Sequence, residues 1–80
     1  MSHEAILKKL NEIFCDVFDD ESIVIGRETT ADDIEDWDSL EQINIINICE
    51  KEFGVKFNMK EVSALKNVGE MVDIISSKLQ

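Results

Sequence analysis

The sequence predicts an all-α fold: a four-helix bundle of three longer helices and one short helix, with a long loop between the first and second helices. Three observations lead there. Apolar residues recur at spacings of three and four through positions 3–18, 39–53 and 68–79. Asp38, Asn58 and Asn67 stand at expected helix starts, each followed three residues on by a glutamate, the spacing of a capping box. Against these, the one β-branched run, Ile23-Val24-Ile25, has no second run to pair with, and there is no proline, internal repeat or low-complexity linker.

The first helix is expected from about His3 to Phe18. Ile6, Leu10, Ile13, Phe14 and Val17 make its apolar stripe, widened by Leu7, while Lys8, Lys9, Asn11, Glu12 and Asp16 fall largely on the other side. Asp19-Asp20-Glu21 places three acids where the helix dipole is negative, which predicts a fraying end. Residues 22–37 read as a loop whose apolar residues fold back onto the core, with a turn at Gly26 and a brief helical turn within Thr29–Ile34. So long a connection in so short a chain points to a functional constraint.

The second helix is expected from Ser39 to about Phe53 and carries two apolar sets. Ile45, Ile46, Cys49 and Phe53 share the core side; Leu40 and Ile43 project away from it and are expected exposed beside Ser39. Single exposed aliphatic residues are ordinary, but their place one and four residues after a serine favours a contact surface. Gly54 ends the helix, and Val55 and Phe57 pin an extended connector. Asn58 caps a short helix with Val62 and Leu65 inward. The last helix buries Val68, Val72, Ile75 and Leu79, flanked by Met71 and Ile74, and Gly69 costs little in its first turn.

Eighty residues, 44% of them hydrophobic and 32% charged, make one small globular domain spanning 1–80. Acids outnumber bases 18 to 8, a net charge of −10. That balance excludes nucleic acid, whose phosphates need clustered Lys and Arg, disfavours anionic membranes, and suits partners with basic docking surfaces. The same acidity also serves plain solubility. No apolar run is long enough to span a bilayer, and Met1-Ser2-His3-Glu4 lacks a signal-peptide pattern. Cys15 and Cys49 fall at apolar helix positions and read as small buried hydrophobes in a reducing compartment. The expectation is a cytoplasmic monomer.

The chemistry concentrates at Asp36-Trp37-Asp38-Ser39-Leu40-Glu41. Asp38 caps the second helix and Ser39 is its first residue, with the hydroxyl at the positive end of the dipole. Such a serine suits a modifying enzyme; equally, serine is a commonly tolerated first-turn residue. It is not a catalytic nucleophile, because the one histidine, His3, lies far off at an exposed helix end. Two cysteines and one histidine at unrelated spacings make no zinc site. Asp32–Glu41 is acidic, but Ile34, Trp37 and Leu40 break the ligand alternation of a calcium loop and its glycine is missing, so no metal is expected. No glycine-rich phosphate loop precedes Ser39, and Asp36 and Asp38 repel a free anion. A phosphate esterified to Ser39 would instead lie by the free N–H groups of the helix start. Trp37 has two readings: a cover over the core at the mouth of the bundle, which we favour, or a contact for a group attached at Ser39.

Asp38-Ser39-Leu40 resembles the attachment motif of acyl carrier proteins, whose serine receives 4′-phosphopantetheine from coenzyme A. The likeness extends along nearly the whole chain, through Glu52-Phe53-Gly54-Val55 and Asn67-Val68-Gly69-Glu70. It implies a non-catalytic carrier: Ser39 accepts the arm from a magnesium-dependent phosphopantetheinyl transferase, and the arm's thiol holds an acyl group as a thioester. The carrier then shuttles it between acyl-loading and acyl-processing enzymes. Asp38, Leu40, Glu41 and Ile43 match the family's recognition surface on the second helix, which meets basic patches on partners. Fatty-acid carriers usually have glycine two residues before the Asp and a small residue just before it. Asp36 and Trp37 stand there instead, and Asn58-Met59 replaces a common proline. These departures resemble carriers of specialised polyketide, lipid or polysaccharide pathways, so the expected pathway is fatty-acid biosynthesis or one of these. Aminoacyl or peptidyl carriers, the D-alanyl type included, and an unmodified acidic interaction module are the alternatives.

Overall fold

The computed structural model describes residues 1–79. Four helices follow in order: α1 (His3–Phe18), α2 (Ser39–Phe53), α3 (Met59–Ala64) and α4 (Val68–Leu79), with a single 3-10 turn at Ala31–Asp33 in the long first connection. There is no strand among the described residues. The all-α expectation and its helix boundaries therefore hold.

Helix α1 is the hub, packing on both α2 and α4. Its stripe Ile6, Leu10, Ile13 and Phe14 is buried against Ile45, Ile46, Cys49 and Phe53 of α2 and Val68, Met71, Val72 and Ile75 of α4. Leu7 and Val17 lie half-buried at its margins. Met71, expected at the flank of α4, is fully buried. Helix α3 buries no residue completely; Val62 and Leu65 only lean on the core.

The helix ends show how local chemistry sets the boundaries. Ser2 accepts the Ala5 N–H at 3.1 Å and starts α1. The far end of α1 does not fray. Asp19 adopts a left-handed conformation (φ 50°), and the N–H groups of Asp19 and Asp20 return to the carbonyls of Asp16 and Cys15, closing a Schellman turn. The Asp20 carboxylate accepts both the N–H and the hydroxyl of Ser22, which lowers its pKa; the acids are tied into local turns rather than left facing the dipole. Gly54 supplies the same left-handed residue after α2 (φ 68°), with the Val55 N–H reaching the Glu50 carbonyl. Of the three boxes expected at helix starts, Asn58 and Glu61 form the complete reciprocal one, and Thr30 with Asp33 forms another at the 3-10 turn.

The long connection is held by contacts the periodicity does not show. Asn11, expected on the outer side of α1, is half-buried: its Oδ1 accepts the Ile25 N–H at 2.7 Å and its Nδ2 donates to the Ile23 carbonyl at 3.1 Å. Amide chemistry satisfies a loop backbone that has no ladder of its own, so the polar residue belongs inside. Ile25 is thereby buried and Ile23 half-buried, whereas Val24 points out at 86% exposure. Cys15 is half-buried, its thiol near the Ile23 carbonyl (3.5 Å), rather than fully in the core; Cys49 is fully buried. At the other end of the loop, the carbonyls of Arg27 and Thr29 accept the N–H groups of Gly69 and Val68 at 2.8 and 2.9 Å. Arg27 also holds Asp73 with both carboxylate oxygens at 3.1 Å. These bonds dock the loop on α4 and deliver residues 31–38 to the start of α2.

Candidate functional site

Asp38 makes the α2 terminus. Its backbone is extended (φ −107°, ψ −172°) and its carboxylate accepts the Glu41 N–H at 2.9 Å, while its carbonyl accepts the first helical bond from the Gln42 N–H. The capping box expected with Glu41 is only half made. Glu41 turns its carboxylate to the Asn44 amide (2.8 Å), and the Asp38 N–H goes to the Asp36 carbonyl instead. Ser39 therefore stands as the first residue of a well-defined helix, solvent-exposed, on a turn in which Asp38 takes the Glu41 N–H and those of Ser39 and Leu40 have no partner among the described residues.

Beside Ser39 lies an open cleft of about 460 Å³ between the start of α2, α3 and the start of α4. Asp38, Ser39 and Ile43 line it, with Trp37 and Gln42 on the α2 side and Met59, Val62, Leu65, Asn67 and Met71 opposite. Leu40 and Glu41, predicted in the same surface, are not part of the lining. Leu40 is 67% and Ile43 52% exposed, so both aliphatic residues stand out from the core as their helical phase requires. Met59, 79% exposed at the start of α3, extends this apolar surface. The stretch from Glu28 to Glu50 contains no Lys or Arg, so the α2 side of the surface around the serine is electronegative, while Lys66 lines the cleft from the opposite side.

Trp37 covers the core, the reading favoured above, and also lines the cleft beside Ser39. Its ring meets the buried Phe14 edge-on, with centroids 5.0 Å apart at 90°, and covers the core. The same half-buried ring forms part of the cleft wall, and its Nε1–H donates to the Gln42 Oε1 at 2.6 Å. Sequence reasoning missed Gln42 and Asn67 as site residues. The signal for Gln42 was its place three residues after Ser39, on the same side of α2. Nothing local marks Asn67, because the cleft exists only once α3 and α4 fold against α2.

Among the described residues no histidine lies beside Ser39; of the ionisable side chains lining the cleft, Asp38 is taken up by the helix cap and Lys66 stands on the opposite side. His3 pairs weakly with Asp73 (3.6 Å) at the α1–α4 end, not in the cleft lining. The Cys49 thiol is inert: burial foremost, and then the charges of Glu50 and Glu52, push its pKa up to about 12. What the arrangement offers is an accessible hydroxyl on a rigid, capped helix end, beside a cleft with an apolar floor. That fits a covalently attached, flexible prosthetic arm. The hydroxyl is free to be esterified, and the cleft is large enough to receive a small group carried by the arm.

Residues 8–75 match the family model described as phosphopantetheine attachment site. The acyl carrier protein of Thermosynechococcus vestitus is 32% identical over 80 residues, covering 99% of this chain and 98% of the relative. That of Acidothermus cellulolyticus is 35% identical over 77 residues, covering 96% and 92%. Among solved structures, the holo acyl carrier protein from Geobacter metallireducens superposes with a TM-score of 0.86 at 48% identity, over 91% of this chain and 84% of that one. Acyl carrier protein from Thermotoga maritima superposes equally well, TM-score 0.86, at 24% identity over 99% and 92%, a likeness of fold. With the serine, the cleft and the order of helices already in place, these matches make the chain a member of the phosphopantetheine-binding acyl carrier protein family, a non-catalytic carrier.

Proposed function

We propose that Ser39 is the residue that receives 4′-phosphopantetheine, and that the chain carries acyl groups for a specialised biosynthetic pathway rather than for core fatty-acid synthesis. The observation that carries the attachment site is Ser39 itself: an exposed hydroxyl on the first residue of α2, at the edge of the cleft, within the family match. Bound there, the arm supplies a terminal thiol that holds the cargo as a thioester. Asp38 fixes the helix end so that the hydroxyl is presented in one place, and the electronegative surface disfavours any free anion at the site.

Partners follow from the same surface. A phosphopantetheinyl transferase and acyl-processing enzymes with basic patches meet Asp38 and Glu41 by long-range attraction, and Leu40 and Ile43 give them apolar contact. The specialised pathway is supported by Asp36 and Trp37 standing where small residues are usual in fatty-acid carriers. Trp37 is built into both the core and the cleft wall, so it changes the surroundings of the cargo. No described helix is long and apolar enough to cross a membrane.

Intact mass spectrometry tests the site. After incubation with coenzyme A, magnesium and a broad-specificity transferase, the protein should gain one phosphopantetheine, and Ser39→Ala none. An unmodified parent chain, or a modified Ser39→Ala variant, refutes the assignment.

A further inference from the structure

The cleft's two half-buried polar side chains, Gln42 and Asn67, face it from opposite sides, one from α2 and one from the N-terminal cap of α4. Each has its amide oxygen committed inside the protein. Gln42 Oε1 accepts the Trp37 indole N–H at 2.6 Å, and Asn67 Oδ1 accepts the Glu70 N–H at 2.9 Å. An indole N–H and a backbone N–H are donors only, so neither amide can turn over and exchange its oxygen for its nitrogen. The –NH2 groups of both residues are thereby left without a protein acceptor among the described residues. Neither is sealed from solvent, since no buried polar atom is unpaired among those residues.

From this we infer that Trp37, Gln42 and the Asn67 cap form a specificity-determining element: a pair of oriented amide donors that favours an acyl cargo bearing an oxygen on its chain near the thioester, a 3-oxo or 3-hydroxy acyl group, over a plain saturated chain. The inference deepens the reading of Ser39 as the attachment site and rests on it. The apolar floor of Val62, Leu65 and Met71 receives the hydrocarbon part of either cargo. A saturated chain laid across the cleft strips water from both amides and returns nothing, whereas a chain oxygen accepts a hydrogen bond from one of them. Trp37 is the positioning residue here: it touches the core on one face and sets the Gln42 amide with its N–H.

Two isosteric variants separate the donors from their structural work. Gln42→Glu keeps an oxygen for the indole and Asn67→Asp keeps an oxygen for the α4 cap, but each replaces the –NH2 by a second acceptor. The parent chain and the double variant are loaded from coenzyme A, hexanoyl-coenzyme A and 3-oxohexanoyl-coenzyme A, with loading verified by mass. In the 15N-labelled parent, the side-chain amide protons of Gln42 or Asn67 should move downfield with the 3-oxohexanoyl cargo and stay near their unloaded positions with hexanoyl. Trp37→Phe, which keeps an aromatic ring and removes the indole N–H, should lose the Gln42 part of that response. The double variant should lose the difference in Trp37 fluorescence between the two cargoes. Equal shifts with hexanoyl, or shifts already present with the unacylated arm, overturn the inference, the latter by assigning the donors to the arm. Loaded protein with no shift overturns it while leaving Ser39 as the attachment site; a chain that takes no arm at Ser39 overturns both.

Discussion

Gly69 is the residue at which the long loop and α4 touch most closely, and Gly69→Ala tests whether that contact matters. A Cβ there would stand 2.9 Å from the Arg27 carbonyl oxygen and 3.2 Å from the Arg27 Cβ. The oxygen is main chain and already accepts the Gly69 N–H at 2.8 Å, so it cannot rotate aside; the loop and the helix must separate. In favour of the substitution, alanine exceeds glycine by at most about 1 kcal/mol in a helix interior, and by less in a first turn. Against it, overpacking costs roughly 1–3 kcal/mol. Weakening the Gly69–Arg27 and Val68–Thr29 bonds adds about 0.5–1.5 kcal/mol for each bond lost. The balance is a loss of about 2 kcal/mol, which for a chain of this size lowers the melting temperature by roughly 8–16 °C. Thermal unfolding followed by far-UV circular dichroism measures it, and hydrogen exchange at Val68 reports the docking bond directly. A variant that melts at or above the parent temperature, with Val68 still protected, would show that propensity outweighs the close approach and would refute this account of the loop.

Three further predictions concern the groups that hold the rest of the fold. Asn11→Ala removes two hydrogen bonds to the loop backbone and should cost about 1–3 kcal/mol, with exchange of the Ile25 amide accelerated ahead of the core; unchanged Ile25 protection would contradict the role given to Asn11. At about pH 8, a thiol titrating near 12 is roughly 10⁻⁴ ionised against about 10⁻¹ for an ordinary cysteine. Disulfide-exchange reagents should therefore label Cys15 first and Cys49 only as fast as the protein unfolds, and rapid native labelling of Cys49 would disprove its burial. Glu61 has a lowered pKa, chiefly through the Asn58 N–H and then Lys78. Its stabilising effect is full above the unfolded value of 4.5 and is lost as the pH falls through the lower folded value. Urea titrations at several pH values should show the parent's advantage over Glu61→Gln shrinking on acidification; an advantage independent of pH would rule out the charge as its source.

Much of the site was readable because helix starts are local chemistry. Asp38 identifies the first turn of α2 by its own side chain, and that fixes Ser39 as exposed whatever the rest of the molecule does. The phase of α2 likewise separates Ile45, Ile46, Cys49 and Phe53 from Leu40 and Ile43, since a single helix cannot bury both sets in one direction. Two errors arose where a residue's partner lies far along the chain, and a third in a local turn. Asn11 looked like a solvent-facing position because periodicity counts polarity and cannot see a loop backbone in need of a donor and an acceptor twelve to fourteen residues later. Gly69 looked inexpensive because helix propensity does not register a carbonyl arriving from residue 27. The acids after α1 looked disruptive until Asp19 took a left-handed conformation and Asp20 turned onto Ser22.

The sequence by itself determined the helices, the capped start of α2, the exposed serine and the acidity around it, because each depends on neighbours within a turn or on summed charge. Tertiary structure alone decided that a cleft opens beside that serine, and which residues line it. The cleft is formed by α2, α3 and α4 together, and Trp37 joins it to the core through Phe14 while orienting Gln42. Space between helices is a property of their packing, and no local pattern within any one of them encodes it.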